Sequence, residues 1–205
     1  MSDLESFRIP LGSRFIKRSF DIFFSLFLAI LLFPIICLAW LIASIETNSN
    51  GIFIQERIGK GGKTFGLLKI KTMFDSNEAS NSISILNSSR ISASGKFFRK
   101  YKIDELPQVF NIIMGSMSFV GPRPDVPGYA DRLEGEDRIM LLVRPGITGP
   151  ASIKYKNEEY LLGKAENAIQ LNDSIIWPDK VRINIEYVKN YSFFNDLIYI
   201  IKTIF

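Results

Sequence analysis

Residues 22–45 carry no charged side chain and lie inside one apolar stretch, "FDIFFSLFLAILLFPIICLAWLIASIE". As a straight helix this run is about 36 Å long, at ~1.5 Å per residue. That is enough to cross a hydrocarbon core of ~30 Å. Two features argue against a plain span. Pro34 sits near the midpoint, where it removes one backbone hydrogen bond and bends the helix. Cations also flank both ends: Arg8, Arg14, Lys17 and Arg18 before the run, and Arg57, Lys60, Lys63, Lys69 and Lys71 after it. The positive-inside rule places such residues on the cytoplasmic side, so both ends ask for the same side. A re-entrant helix over residues 20–46, broken at Pro34, satisfies both flanks if other parts of the protein satisfy its interrupted backbone. One spanning helix kinked at Pro34 is the alternative. Charge and proline alone weigh these two equally.

The remainder is long enough, in a chain of 205 residues, for one domain with its own core. Hydrophobic residues make up 47%, Phe alone accounts for 17 positions, and the mean hydropathy is +0.14, so much of the apolar excess must face lipid or line a membrane-proximal surface. A net charge of +4 suits nucleic acid, anionic lipid or a phosphorylated substrate without choosing among them. The chain has no histidine, which excludes a Ser-His-Asp triad, a histidine base and His-ligated metal. Its one cysteine, Cys37, allows no internal disulfide and too few ligands for zinc. Chemistry must therefore use carboxylates, Lys, Arg, hydroxyls or an oxygen-liganded metal. No small-residue cleavage site follows the apolar run, so a cleaved signal peptide is not expected.

The pattern predicts a basic N-terminal segment over 1–19, the membrane helix over 20–46, and one compact cytoplasmic-face domain over 47–205. The class is α/β, mostly helical, with a small β-hairpin and interfacial amphipathic helices. "IFIQERIGKGGKTFGLLKI" predicts two strands around a glycine turn. Residues 75–95, rich in Ser and Asn, predict a loop with at most a short helix. Residues 96–115 predict a helix in two pieces, with Pro107 in the first turn of the second and Gly115 as its stop. "MSFVGPRPDVPG" and "RPGITGP" predict irregular, stiff loops; 129–143 predicts an amphipathic helix; 155–177 is polar and mixed; 181–205 predicts one or two interfacial helices.

Within this frame "FFRKYKIDELPQ" places Asp104 and Glu105 together just after Lys96, Arg99, Lys100 and Lys102. The bland reading makes Asp104 a helix N-cap and Glu105 a first-turn acid. Two further loops shift the balance. Arg123 in "GPRP" and Arg144 in "RPG" sit on segments stiffened by Pro and Gly, a setting that suits bidentate phosphate recognition. An ionised Asp could bind Mg²⁺ or attack phosphorus. Phosphoryl chemistry rests on positioning and charge neutralisation, so it does not need histidine.

Taken in order, "KRSFDIFFSLFLAILLFPI", "FIQERIG", "KIKTM", "GKFFRKYKIDELPQVFNIIMGSMSFVGPRP", "VRPGITG" and "EYVKNYSFFNDL" resemble the small monotopic phosphoglycosyl transferases. These are bacterial sugar transferases that begin glycan assembly on a polyprenol carrier. The resemblance covers residues 17–203. It implies transfer of a sugar-1-phosphate from a UDP-sugar to polyprenol (undecaprenyl) phosphate, with UMP released and a covalent aspartyl-phosphosugar intermediate. It implies Asp104 as nucleophile and Mg²⁺ ligand, Glu105 as the second member of the dyad, and a re-entrant helix broken at Pro34. The substrate-binding candidates are Arg99, Arg123, Arg144, Lys69, Lys71 and Arg57. The implied partners are the UDP-sugar, polyprenol phosphate and membrane lipid at the cytoplasmic face of the bacterial inner membrane, with a homodimer left open and no nucleic acid.

Two departures stand out. After "RPGITG" the family commonly continues "WAQVNGR", where this chain has "PASIKYKNEEYLLG"; the sugar is therefore not implied. Phe33 stands before Pro34 where a serine is common. Three competing classes fit less well. A glycosyltransferase releasing UDP would need an Asp-x-Asp type metal motif. A lipid-binding scaffold gives no reason for "IDELPQ". A nucleic-acid binder would show a recognisable motif.

Overall fold

In the computed structural model, which describes residues 7, 9–75 and 90–205, the apolar run is the middle of a single helix, α1 (Leu11–Thr47). Its 37 residues make about 55 Å at ~1.5 Å per residue. It stays helical on both sides of Pro34. It also starts well before residue 20, because the Pro10 carbonyl accepts from the Arg14 N–H and begins the ladder inside the predicted basic segment. Arg8 and residues 76–89 of the Ser/Asn-rich segment lie outside the described residues. Among the described residues, α1 is the one helix long and apolar enough to cross a membrane. A narrow stripe of mainly small residues, Ser25, Ala29, Ile36, Ala39 and Ala43, is buried. Phe23, Phe27, Ile30, Leu31, Phe33 and Ile45 remain exposed. That apolar flank is a membrane-associating surface.

The chain divides into two compact units. One comprises Ile22–Glu56 and Gly66–Gly115. Its core sets Ala29, Ile36, Ala39 and Ala43 of α1 against Ile70, Phe98 and Val109, with Leu106, Phe110 and Ile113 packed on them. Each large side chain buried there contributes about 1.5–3 kcal/mol. The predicted hairpin forms as β1 (Ile52–Ile58) and β2 (Thr64–Ile70). The predicted two-piece helix is α2 (Ala93–Lys100) and α3 (Gln108–Met114), joined by a 3₁₀ turn at Ile103–Glu105. Ser92 caps α2, its Oγ accepting from the Gly95 N–H at 3.0 Å. Gly115 ends α3 with φ +89°, a conformation that L side chains resist. Buried Asn111 ties α3 to β2: its Nδ2 donates to the Gly66 carbonyl at 2.8 Å and its Oδ1 accepts from the Leu68 N–H at 2.9 Å.

The other unit comprises Met1–Asp21, Arg57–Phe65 and Ser116–Phe205. The two segments expected to be irregular contain paired strands, β3 (Ser118–Val120) and β4 (Gly146–Thr148), which run parallel in the register Ser118 to Gly146 and Val120 to Thr148. Glycines allow the approach. A Cβ on Gly121 would lie 2.3 Å from the Arg144 carbonyl, and one on Gly146 2.2 Å from the Gly121 nitrogen. Neither strand shows a local signal, since each takes its partner from far along the chain. The helix expected over 129–143 is instead two 3₁₀ segments, Ala130–Arg132 and Gly135–Leu142. Gly135 sits at φ +51°, which interrupts any continuous α-helix. Residues 150–176 form the short helices α4 (Pro150–Lys154), α5 (Glu158–Lys164) and α6 (Ala168–Leu171) and a π turn. The C-terminal part forms two helices, α7 (Trp177–Lys189) and α8 (Phe193–Ile204). Val181 of α7 packs with Ile58, Leu133, Met140 and Leu141.

A buried polar network holds this unit. Lys17 donates to Asp196 at 2.6 Å and to the Val120 carbonyl at 2.9 Å. The Tyr187 hydroxyl donates to the other Asp196 oxygen at 2.8 Å. Asp21 accepts from the Ser118 hydroxyl at 3.1 Å and the Phe119 N–H at 3.2 Å. Burial pushes the Asp196 carboxyl up, while the Lys17 charge and both hydrogen bonds pull it back.

Candidate active site

The chain leaves α2 through Lys102, whose φ of +57° reverses its direction. The next three residues close the 3₁₀ turn. The Glu105 N–H donates to the Lys102 carbonyl at 3.2 Å, and the Leu106 N–H to that of Ile103 at 3.2 Å. This turn fixes the Asp104–Glu105 pair. Asp104 does not cap α3, as the bland reading expected: the N-cap position is Pro107 and no side chain caps it. The reason is the intervening turn, which sets the acid four residues ahead of the helix. Asp104 is 7% exposed, and its Oδ1 is buried with no hydrogen-bond partner among the described residues.

The surroundings also act on the ionisation of Asp104. Burial lifts its carboxyl above the ordinary range; Lys69 pulls it down, Glu105 pushes it up, and Lys102 and Arg99 pull it down. Desolvation wins because no N–H or O–H donor meets the buried oxygen. Glu105 faces Lys69, with Oε1 and Nζ 3.6 Å apart. Arg99 is oriented by buried Thr72, its Nε donating to Oγ1 at 3.0 Å. Lys71, predicted to bind substrate, donates to Ser49 Oγ and Asp75 Oδ2, each at 2.6 Å. It is not among the charges acting on Asp104. So the structure gathers Asp104, Glu105, Lys69 and Arg99 and adds Lys102 and Thr72.

Among the described residues no group of three or more His, Cys, Asp or Glu side chains could by itself hold a metal ion. Mg²⁺ commonly uses only one or two carboxylates, completing its shell with water and substrate phosphates. The unpartnered, hard oxygen of Asp104 fits such a role.

Arg57, Arg123 and Arg144 belong to the other unit. Arg57 donates to the Pro124 carbonyl at 3.2 Å, and the Ile58 N–H to that of Asp125 at 2.9 Å, which pins the "GPRPD" loop against the start of that segment. Asp125 is an acid that the sequence reading passed over. Burial pushes its carboxyl up to about 6, against the opposing charges of Lys180, Arg57 and Arg123. Its place directly after the "PRP" run was the available signal. The two loop arginines line different cavities: Arg123 shares a small cleft with Asp125, and Arg144 lines a larger one.

The family model described as bacterial sugar transferase matches residues 12–205. The chain belongs to the bacterial sugar transferase family. It is 32% identical, over 93% of its length, to the UDP-N-acetylgalactosamine-undecaprenyl-phosphate N-acetylgalactosaminephosphotransferase of Aeromonas hydrophila. It is 30% identical, over 94% of its length, to the undecaprenyl-phosphate galactose phosphotransferase of Salmonella typhimurium. The chain spans 43% and 40% of those two proteins. It is 30% identical to the exopolysaccharide production protein ExoY of Sinorhizobium fredii, covering 92% of this chain and 83% of that protein. This sugar transferase thus keeps its dyad inside the matched region.

Proposed function

We propose that this sugar transferase moves a sugar-1-phosphate from a UDP-sugar to undecaprenyl phosphate, through a covalent intermediate on Asp104. The observation that carries the reading is the buried Oδ1 of Asp104, left without a hydrogen bond while Lys69, Lys102 and Arg99 supply the nearby positive charge. A carboxylate with no donor on its oxygen keeps its lone pairs available for attack.

In the first half-reaction an Asp104 oxygen bonds to the β-phosphorus of the UDP-sugar. The bond to the bridging oxygen breaks, and UMP leaves with the electron pair. In the second, an oxygen of undecaprenyl phosphate attacks the same phosphorus and Asp104 leaves as a carboxylate, giving undecaprenyl-diphosphate-sugar. Lys69, Arg99 and Lys102 would neutralise charge on the equatorial oxygens. Lys69 also holds Glu105 in place. Bound Mg²⁺ would be held by Asp104 and substrate phosphates and would supply charge neutralisation on the diphosphate.

The enzyme would sit on the cytoplasmic face with α1 re-entrant. Cysteine labelling at Ser13 and Ser49 in a Cys37→Ser background tests this, and labelling of one site only from outside refutes it. The relatives' names make UDP-galactose and UDP-N-acetylgalactosamine the first donors to try. With a donor panel, Mg²⁺ and undecaprenyl phosphate, the nucleotide released should be UMP. Stoichiometric UDP would replace this reading with simple glycosyl transfer.

A further inference from the structure

The chain leaves β2 at Ile70 and passes through Thr72, whose backbone is held without help from its side chain. Just before it, the Lys71 N–H donates to the Gly51 carbonyl at 2.7 Å. The Thr72 carbonyl accepts from the Ser92 N–H at 3.1 Å, and Met73 pairs with Ile91 in an antiparallel bridge. Thr72 is buried, and a buried hydroxyl is costly unless it is hydrogen-bonded. This one accepts from Arg99 Nε at 3.0 Å. Helical spacing explains the meeting. Gly95 and Arg99 are four residues apart in α2, so they share a face. Gly95 lets that face close on Thr72, since a Cβ there would lie 2.3 Å from the Thr72 carbonyl oxygen. One turn further on, Arg99 reaches the hydroxyl of the same residue. Arg99 is also one of the cations that pull the Asp104 carboxyl down. Thr72, Gly95, Arg99 and Asp104 all belong to one compact unit.

We propose that Thr72 is a positioning residue for the transfer reaction, its hydroxyl setting the angle at which the Arg99 guanidinium meets a phosphate. A guanidinium can grip a phosphate side-on, through Nε and one terminal nitrogen, or end-on, through both terminal nitrogens. Nε carries a single proton, and here it goes to Thr72. Arg99 is therefore restricted to the end-on grip. A guanidinium already fixed in one grip loses less freedom on meeting the anion, and it stands ready where charge develops. Lysine could not replace it, because an ammonium has no second nitrogen to give to the hydroxyl while another faces the phosphate. The inference rests on the phosphosugar reading above for the identity of the anion that Arg99 meets.

The test is a double-variant cycle on the full chain in detergent, with the donor panel, Mg²⁺ and undecaprenyl phosphate, reading kcat and KM. Thr72→Val keeps the branched shape and removes the hydroxyl. It should lower kcat about tenfold or more, with KM for the donor little changed. Thr72→Ser keeps the acceptor oxygen and should recover most of the wild-type kcat. Arg99→Met should lower kcat about 100-fold or more. Adding Thr72→Val to Arg99→Met should then change kcat by less than about twofold, because the hydroxyl has no guanidinium left to set. A merely structural threonine would slow both backgrounds alike. Wild-type kcat in Thr72→Val, no recovery in Thr72→Ser, or full additivity with Arg99→Met overturns the proposal. The released nucleotide keeps the two proposals apart. UDP in place of UMP refutes the covalent reading whatever Thr72 does, whereas UMP with wild-type kcat in Thr72→Val refutes only this one. If Thr72→Val does not fold, or no donor turns over, the NMR signal of the Arg99 Nε–H in wild-type protein decides, assigned by its loss in Arg99→Met. Solvent exchange slower than in free arginine is the expected result, and exchange as fast as in free arginine overturns the proposal.

Discussion

Asp104 and Asp196 are both buried acids whose carboxyls burial pushes up, yet the protein treats them in opposite ways. Asp196 receives an ammonium and a phenol hydroxyl at 2.6 and 2.8 Å, one on each oxygen. Asp104 has cations in its field but an oxygen with no hydrogen-bond partner among the described residues. The first arrangement stabilises a tertiary contact between the start of α1 and α8. The second leaves a buried oxygen unsatisfied, which is what the proposed nucleophile role accounts for.

Exchanging each acid for its amide should split the pair cleanly. Asp104→Asn should lower transfer by about three orders of magnitude or more, which is ~4 kcal/mol of transition-state stabilisation at 1.36 kcal/mol per decade. Its thermal stability should stay equal or rise, because a buried unpaired carboxylate is removed. Asp196→Asn should do the reverse. It strands Lys17, so unfolding free energy should fall by about 3 kcal/mol, with the chemical step per folded molecule little changed. If Asp104→Asn unfolds and Asp196→Asn does not, the contrast is wrong.

A smaller effect is expected at Lys69. Lys69→Met removes the cation facing Glu105 and the strongest charge lowering Asp104, so turnover should drop by about 10- to 100-fold, roughly 1.4–2.7 kcal/mol. The pH profile of that turnover should shift its acidic limb upward, because Asp104 loses a charge that favours ionisation.

The smallest effect concerns Asp125, which extends the comparison to a third acid. Its carboxyl is raised from 3.8 to about 6. A raised acid binds its proton more tightly when folded, so its stabilising contribution is full below 3.8 and is lost as pH rises through about 6. Asp125→Asn should flatten stability over that window, as read by denaturant midpoints at several pH values. An unchanged slope would mean that Asp125 has its ordinary affinity for protons.

The sequence made some of this legible. The hairpin, the two-piece helix and the Gly115 stop follow from local chemistry: strand-forming residues, Pro107 and a glycine at positive φ. The charged neighbours of Asp104 were legible because they cluster beside it, at Arg99 and Lys102, and on β2, at Lys69. What was hidden depends on partners distant in sequence. β3 and β4 pair only because Gly121 and Gly146 permit close contact, and each looks like a loop alone. The cap reading of Asp104 failed because a 3₁₀ turn and a helix N-terminus share the same residue preferences. Lys71, expected beside Lys69 as a substrate ligand, also donates to Ser49 and Asp75, and no local signal announces those partners.

The account stands or falls on whether Asp104 carries the phosphosugar. Incubating wild-type protein with a competent UDP-sugar and Mg²⁺, without undecaprenyl phosphate, and then mapping peptides by mass spectrometry reads this directly. The predicted result is one sugar-phosphate adduct on Asp104, absent in Asp104→Asn and lost on adding undecaprenyl phosphate. An adduct on Glu105, or UMP formed only when both substrates are present and with no adduct, would contradict it.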